Sequence, residues 1–144
     1  MARCSVANRT SAVPTAARGP SLYATTGVRP QIREIGVFNT TAVACAVAIA
    51  RATAAGTQGA GLTEVCESDD SHAIIATGFN THTADATIAA SQRQASLAAA
   101  IGSGLIWTWG PGEFVLDKLT TAGVVIVCPT GTGQHLDFWI VWDE

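Results

Sequence analysis

The most constraining feature of the sequence is an alternation of alanine with larger side chains between Thr41 and Arg51. Every second residue from Ala42 to Ala50 is alanine, and the other parity carries Val43, Cys45, Val47, Ile49 and Arg51. Because successive side chains of a β-strand point to opposite faces, this period of two predicts a strand with one flat alanine face and one branched, apolar face. A smooth alanine face allows another sheet or subunit to approach closely.

The rest of the chain also favours short strands separated by turns. Residues 32–38, 104–109, 113–117 and 121–128 are expected strands, and the continuous β-branched run at 124–127 is typical of a strand covered on both faces. A last strand at 135–142 is expected to form a hairpin with the strand before it, across the loop 129–133. The alanine-rich stretch 92–100 permits a helix, but its β flanks favour irregular or strand structure. Eight to ten strands in all predict an all-β fold, a β-sandwich or jelly-roll-like domain.

The domain organisation expected from the sequence is an extended N-terminal arm, residues 1–20, followed by one domain, residues 21–144. A chain of 144 residues suits a single domain with a substantial core. The first 20 residues are rich in Ala, Ser, Thr, Arg and Pro and show only a short alternation near their start. They are therefore interpreted as an arm or an edge strand.

The composition points towards assembly. Charged residues make up 13% of the chain, about half of the usual share, while hydrophobic residues make up 48%. Either uncharged polar residues cover the surface, or part of the surface is buried against partners. The second alternative favours an oligomer or a lattice component.

The charge pattern argues against a nucleic-acid partner. The formal net charge is −3, and the cations form no basic run or stripe. Four of the eight cations, Arg3, Arg9, Arg18 and Arg29, give the N-terminal end a mildly basic character. The expected arm is then either solvated or in contact with an acidic neighbour. The sequence shows neither a signal peptide nor a transmembrane span, so no membrane partner is expected.

No arrangement of residues in the sequence indicates catalysis or a metal site. The cysteines at 4, 45, 66 and 128 are widely spaced, as are the histidines at 72, 82 and 135. The carboxylates Glu64, Glu67, Asp69 and Asp70 could hold calcium, but a solvated acidic loop is the simpler interpretation. Glu113 and Asp117 could be a glycosidase pair only if a cleft separated them. We therefore expect no catalytic residues, no cofactor and no metal.

Tryptophan supplies the candidate contact residues. Trp107 and Trp109 share a parity within one strand, whereas Trp139 and Trp142 fall on opposite faces of another. Since both side chains of the second pair cannot enter one core, one of them is expected at a second interface, between subunits or on a stacked sugar. The candidate interface residues are Arg3, Arg9, Arg18, Trp107, Trp109 and Trp139.

Several segments together carry a family resemblance. They are RPQIREIGVFNTT (29–41), AGTQGA (55–60), AAIGSGLIWTW (99–109), PTGTGQ (129–134) and IVWDE (140–144). As a set they resemble small virion-associated proteins of tailed bacteriophages, over most of the chain from about residue 3. The resemblance brings no catalytic motif with it.

The resemblance implies a structural protein of the virion. The role that it favours is a capsid decoration (cement) protein on the mature shell, with the major capsid protein and copies of itself, commonly a trimer, as partners. Such a protein is made in the host cytoplasm and ends on the capsid surface. The alternative is a head-fibre or tail-associated module that recognises a carbohydrate or a receptor.

Overall fold

The computed structural model describes residues 1–68, 71–130 and 133–144. The expected acidic and glycine-rich loops fall partly outside these residues, at Asp69, Asp70, Gly131 and Thr132. Within the described part the chain is all-β. Its ten strands are β1 (Arg3–Arg9), β2 (Ser21–Tyr23), β3 (Gln31–Asn39), β4 (Cys45–Ala54), β5 (Val65–Cys66), β6 (Thr77–Phe79), β7 (Thr87–Leu97), β8 (Gly104–Thr108), β9 (Gly123–Val127) and β10 (Leu136–Asp143).

The strands form two antiparallel sheets of five, which pack as a β-sandwich. Sheet I has the order β5-β1-β10-β3-β8, and sheet II has the order β6-β2-β9-β4-β7. Strands from opposite ends of the chain pair with each other: β1 with β10, β2 with β9, β3 with β8, and β4 with β7. The strand pairs are thus nested within one another and alternate between the two sheets. The all-β class predicted from the sequence is confirmed.

The core lies between the sheets and follows the period of two. Alternate residues of β10 are buried, and they face alternate residues of β4 and β9 across the sandwich. The largest fully buried side chains are Trp142, Phe114, Phe138, Leu22, Ile32, Ile35, Ile49, Leu116, Ile126, Leu136, Ile140 and Val6. The predicted strand at 124–127 is confirmed, and every residue of β9 is buried because sheet II is covered on both faces.

The structure corrects the expected N-terminal arm. Residues 3–9 form β1, which lies inside sheet I between β5 and β10 and pairs with β10 from Arg3↔Asp143 to Arg9↔Asp137. Cys4 and Val6 are buried in the core. Residues 16–20 then run beside β9, with the bridge Ala16↔Cys128. The N-terminal 20 residues are therefore part of the domain, and the boundary at residue 20 does not separate an arm from it.

The alanine strand is confirmed, and the structure shows what covers its flat face. In β4, Val47 and Ile49 point into the core, while Ala48 and Ala50 point to the outer face of sheet II. Residues 80–86 cross that face from β6, at one edge of the sheet, to β7, at the other edge. The strand spacing makes this a span of about 19 Å, and methyl side chains leave room for the crossover to lie close to the sheet. The neighbour that approaches the alanine face is the chain itself.

Backbone hydrogen bonds hold this crossover in place. The amides of His82 and Ala86 donate to the carbonyl groups of Arg18 and Ala17, at 2.7 and 3.1 Å. A Cβ on Gly59 would lie 2.1 Å from the Thr81 carbonyl oxygen, so a glycine is needed where the loops meet. The chain therefore covers the outer side of β2, β9 and the middle of β4, whereas the edge strand β7 stays largely exposed.

Two expectations about the strands were wrong: the pairing of the last two, and the presence of one at 113–117. The last two strands do not form a hairpin, because β9 pairs with β2 and β4 in sheet II, whereas β10 pairs with β1 and β3 in sheet I. Residues 113–117 form turns and one isolated bridge, Gln31↔Val115, in place of a strand. Phe114 and Leu116 are nevertheless fully buried, so their alternation reflects a loop that packs on the core.

Candidate interaction surface

The outer face of sheet I keeps its side chains accessible, unlike the part of sheet II that lies under the crossover. The register places Ala7, Trp139, Gly36 and Ile106 side by side in one row across β1, β10, β3 and β8. Ala7 is exposed, and Ile106 is 50% exposed. We call this row and its neighbours Phe38, Val141 and Val65 the Trp139 face.

Gly36 determines how the Trp139 ring lies. A Cβ at position 36 would come within 2.3 Å of the indole, so the ring rests on the bare backbone of β3. The ring stacks with Phe38 at a centroid distance of 5.1 Å and an interplanar angle of 20°. Its Nε1–H donates to Glu34 Oε1 at 2.6 Å. The indole is thus fixed flat on the sheet, partly exposed, before any partner arrives.

Ion pairs from β1 to β10 border the Trp139 face. Arg9 Nε lies 2.7 Å from Asp137 Oδ1 at one side, and Arg3 Nε lies 2.9 Å from Asp143 Oδ1 at the other. The hydrogen bonds and charge of Arg9 hold the pKa of Asp137 below its usual value. Asp143 also pairs with Arg33 at 2.7 Å, so the apolar centre has a polar, charged rim in which each arginine contacts an aspartate.

Two shallow depressions flank the indole. One, of about 360 Å³, is lined by Trp139, Phe38, Arg9, Asp137 and the turn residues Asn39, Thr40, Ile101 and Gly102. The other, of about 440 Å³, lies towards Arg3 and Glu67. Both are open, and both place polar groups beside an aromatic ring.

The structure brings three of the six candidate interface residues together. Arg3, Arg9 and Trp139 lie on the outer face of sheet I. Trp107 and Trp109 point to the other side of the edge strand β8, where they pack against the core. Arg18 lies against the crossover and pairs with Asp85 at 3.3 Å.

Trp109 is held within the fold by specific contacts. Its ring meets Phe114 edge to face at 5.1 Å, and the Arg93 guanidinium lies 4.5 Å from its centroid. These contacts join the edges of the two sheets. The parity of Trp107 and Trp109 was predicted correctly, but parity cannot distinguish a core face from an outer face.

Three of the carboxylates considered in the sequence analysis accept hydrogen bonds from backbone amides. Glu64 Oε1 accepts from the Gly78 amide at 2.7 Å, and the Glu113 side chain accepts from the Gly110 amide within its own turn. Asp117 accepts from the amide of Lys118. Each of these bonds stabilises a loop.

A buried serine of sheet II contacts a buried histidine of the crossover. Ser21 Oγ lies 2.7 Å from His82 Nε2, and His82 Nδ1 lies 2.9 Å from the Ala55 carbonyl oxygen. The pattern of a hydroxyl, an imidazole and an orienting acceptor is the one that nucleophilic catalysis uses. Ser21 is 0% and His82 is 3% exposed, however, so a substrate in solvent has no access to the pair. We interpret it as a structural link between sheet II and the crossover.

The cysteines fall into two classes. Cys4 and Cys66 oppose each other on β1 and β5 and form a disulfide across 62 residues. Cys45 and Cys128 are buried free thiols. Burial raises the pKa of the Cys128 thiol to about 12, so it remains protonated near neutral pH.

Comparison of the chain with known protein families, with curated proteins and with solved structures gives no match. In residues 1–68, 71–130 and 133–144 there is no helix long and apolar enough to cross a membrane.

Proposed function

We propose that this chain is a structural protein of a bacteriophage virion, most specifically a capsid decoration protein that binds the mature shell. The observation that carries the proposal is the Trp139 face: a largely apolar surface with a fixed indole at its centre, bordered by arginines that pair with aspartates. Protein interfaces have this anatomy, with an apolar centre, a polar rim, and Trp and Arg among the residues that contribute most of the binding energy.

The strand order supports the proposal. The nested pairs place β1-β10-β3-β8 in one sheet and β2-β9-β4-β7 in the other, with β5 and β6 added at the edges. We infer that this is the eight-stranded jelly-roll arrangement, which viral capsid domains use, as do lectins and other proteins. Since one fold serves many functions, the arrangement is compatible with a capsid role without specifying it.

The composition and the family resemblance support the same class. The low share of charged residues favours a chain that buries part of its surface in an assembly. The resemblance to virion-associated phage proteins names the major capsid protein and further copies of this chain as partners, with a trimer on the capsid surface. The Trp139 face of sheet I would contact these partners, and exposed side chains of the edge strands β8 and β5 enlarge this surface.

The mechanism would be thermodynamic. A protein that binds only the expanded shell stabilises that state by an amount that grows with the logarithm of its free concentration over its Kd, since the shell must release it before it reverts or bursts. An indole already fixed over Gly36 loses little rotational freedom on docking, which favours a slow release. We propose no chemical step and expect the protein not to be an enzyme.

The test is binding to shells with two matched surface variants. Ile106 on the Trp139 face and Leu119 in a distant loop are 50% and 55% exposed. Purified wild-type protein, Ile106→Arg and Leu119→Arg are sedimented with expanded shells of the phage that carries the gene, assembled without this protein. Wild type and Leu119→Arg should saturate the shells alike, and Ile106→Arg should bind at least tenfold more weakly.

Two results would contradict different parts of the proposal. If wild-type protein does not sediment with the shells, the decoration role is wrong. If Ile106→Arg binds as well as Leu119→Arg, the role stands but the Trp139 face is not the docking surface. Light scattering on the same samples measures whether free protein is a trimer, at three times 14.8 kDa.

The depressions beside Trp139 favour a second candidate, a fibre or tail module that binds a carbohydrate. Stacked aromatic rings beside Arg9 and Asp137 resemble a sugar platform with hydrogen-bonding groups at its border. Titration with oligosaccharides should then quench tryptophan fluorescence, and Trp139→Phe should abolish the response. A flat titration of the wild-type protein would argue against this candidate.

A further inference from the structure

The junction between β1 and β5 is small and depends on one covalent bond. Only two residue pairs join these strands, Cys4↔Cys66 and Ser5↔Val65. Two further hydrogen bonds extend the junction, from the Glu67 amide to the Arg3 carbonyl oxygen and from the Arg3 amide to Ser68 Oγ, each at 2.7 Å. Since a two-residue strand has little stability of its own, the disulfide is its main attachment.

A third soft-metal ligand lies beside this disulfide. The sulfur atoms of Cys4 and Cys66 and a ring nitrogen of His72 all lie within 4.8 Å of one another. Two thiolates and an imidazole are a donor set that Zn²⁺ prefers. In a tetrahedral zinc site the donor atoms lie roughly 3.5 to 3.8 Å apart, as follows from Zn–S and Zn–N bond lengths. Once the sulfur–sulfur bond is opened, small side-chain movements bring the three donors to that spacing.

A buried carboxylate contacts one ring nitrogen of His72, as is usual for zinc-bound histidines. His72 Nε2 lies 3.2 Å from Glu144 Oε1, which leaves Nδ1 as the nitrogen for a metal. The Glu144 side chain is 0% exposed and is itself fixed: it accepts from the amides of Ile75 and Ala76 and from the Trp142 indole, at 2.7 to 3.0 Å. A carboxylate that accepts from the second nitrogen of a ligating histidine fixes the ring orientation and raises its basicity.

We infer that reduced Cys4 and Cys66, together with His72, form a Zn²⁺ site, so that a disulfide and a metal ion are alternative links between β1 and β5. A dithiol supplies two electrons and two protons, which convert the disulfide to two thiols, and leaves as its own disulfide. Zn²⁺ then displaces the two thiol protons and takes neutral Nδ1 of His72 as its third ligand, with water in the fourth position.

Charge and access both suit this exchange. Two thiolates cancel the charge of Zn²⁺, so the occupied site would be neutral where Cys4 is fully buried. The His72 side chain is 27% exposed, which provides an entry path from solvent. The inference is independent of the capsid role, since it concerns the opposite side of β1 from the Trp139 face.

The experiment uses the full chain, reduced with a phosphine that is then removed under anaerobic conditions, and titrated with Co²⁺. The reduced wild-type protein should bind one equivalent, with the thiolate charge-transfer band and the intense d–d bands of tetrahedral Co²⁺, and Zn²⁺ should displace it. The oxidised protein should show neither band. His72→Ala should lower the affinity for Co²⁺ at least tenfold, Glu144→Gln about tenfold, and the control His135→Ala should not change it.

Loss of folding on reduction does not obscure the result. If the reduced chain unfolds without metal, Zn²⁺ should restore the strand signal in circular dichroism for wild type and His135→Ala but not for His72→Ala. The inference is wrong if reduced wild-type protein lacks the tetrahedral spectrum. It is equally wrong if His72→Ala binds Co²⁺ as tightly as wild type, because the cysteines then act without the histidine.

Discussion

His82 illustrates at the residue scale how burial determines the chemistry of a side chain. Its Nδ1–H donates to the Ala55 carbonyl oxygen, which leaves Nε2 to accept the Ser21 hydroxyl, so the neutral imidazole satisfies both partners. Burial lowers the pKa of His82 below its usual value, and the bond to Ala55 offsets only part of this effect. A protonated ring would donate to Ser21 Oγ, and the buried hydroxyl hydrogen would then lose His82 as its acceptor.

The folded protein should therefore lose stability as the pH falls below about 6.5. In that range the unfolded chain binds a proton at residue 82 that the folded chain does not, so the free energy of unfolding decreases until the lower folded pKa is passed. Urea unfolding at pH 7.5, 6.5 and 5.5 measures this. His82→Gln should be less stable at pH 7.5 but should show a smaller decrease.

The contributions of His82 and of the Arg9–Asp137 ion pair to stability are lost in different pH ranges. The pKa of Asp137 lies below its ordinary value because of Arg9, so that contribution is lost only as the pH falls through that lowered value. An unchanged slope in His82→Gln between pH 7.5 and 5.5 would contradict the assignment to His82.

At the scale of elements, β4 shows that one strand can serve two different neighbours. Its larger side chains fill the space between the sheets, and its alanines lie beneath the crossover of residues 80–86. The sequence predicted both faces correctly because alternation identifies parity. It could not identify the neighbour, since an alanine face fits another subunit as well as it fits a loop.

We expect Ala50→Leu to destabilise the protein by about 1–3 kcal/mol, because the added carbon atoms have no space under the crossover. Ala46→Leu is the matched control. Ala46 has the same parity on the same strand, but it is partly exposed and lies outside the buried cluster that contains Ala48 and Ala50. Denaturant midpoints at constant slope compare the two variants. Equal losses would mean that the crossover does not press on the alanine face.

At the scale of the whole molecule, the nested pairing makes the first strand and the last strand mutually dependent. Each residue of β1 lies opposite a residue of β10, and the two backbones continue to bond at Ala2 and Glu144. A short alternation near the start of the chain was the only sequence signal for β1. Its partner lies more than 120 positions away, so local patterning could not reveal that the segment is an internal strand.

Removal of residues 1–9 should accordingly prevent stable folding, because it deletes an internal strand and exposes the edge of β10. A milder pair of variants tests the same point. Val6→Ala should cost about 2 kcal/mol, since Val6 is buried between the sheets, while Ala7→Ser, one residue on and exposed, should cost little. A truncated chain that unfolds cooperatively at the wild-type denaturant midpoint would restore the interpretation of residues 1–20 as an arm.

The sequence predicted more of the fold than of the candidate sites, for a physical reason. Whether a segment forms a strand, and which of its side chains share a face, follows from residues adjacent in the sequence, as at Thr41 to Arg51. The Trp139 face, the Ser21–His82 pair and the Cys4–Cys66–His72 cluster each depend on which strands lie side by side. Gly36 beneath Trp139 carries no local signal, because its role exists only once β3 and β10 are in register.

The nested pairing also has a consequence for how the chain emerges from the ribosome. The outermost pair, β1 with β10, cannot form until residues 136–143 have been made, and β2, β3 and β4 likewise pair with β9, β8 and β7 only after those strands are made. At about 5–20 residues per second, the first half of the chain remains without its partner strands for several seconds or more. During that interval the alanine and valine faces of β4 are exposed to every other nascent copy, and translation speed becomes a factor in the yield of folded protein.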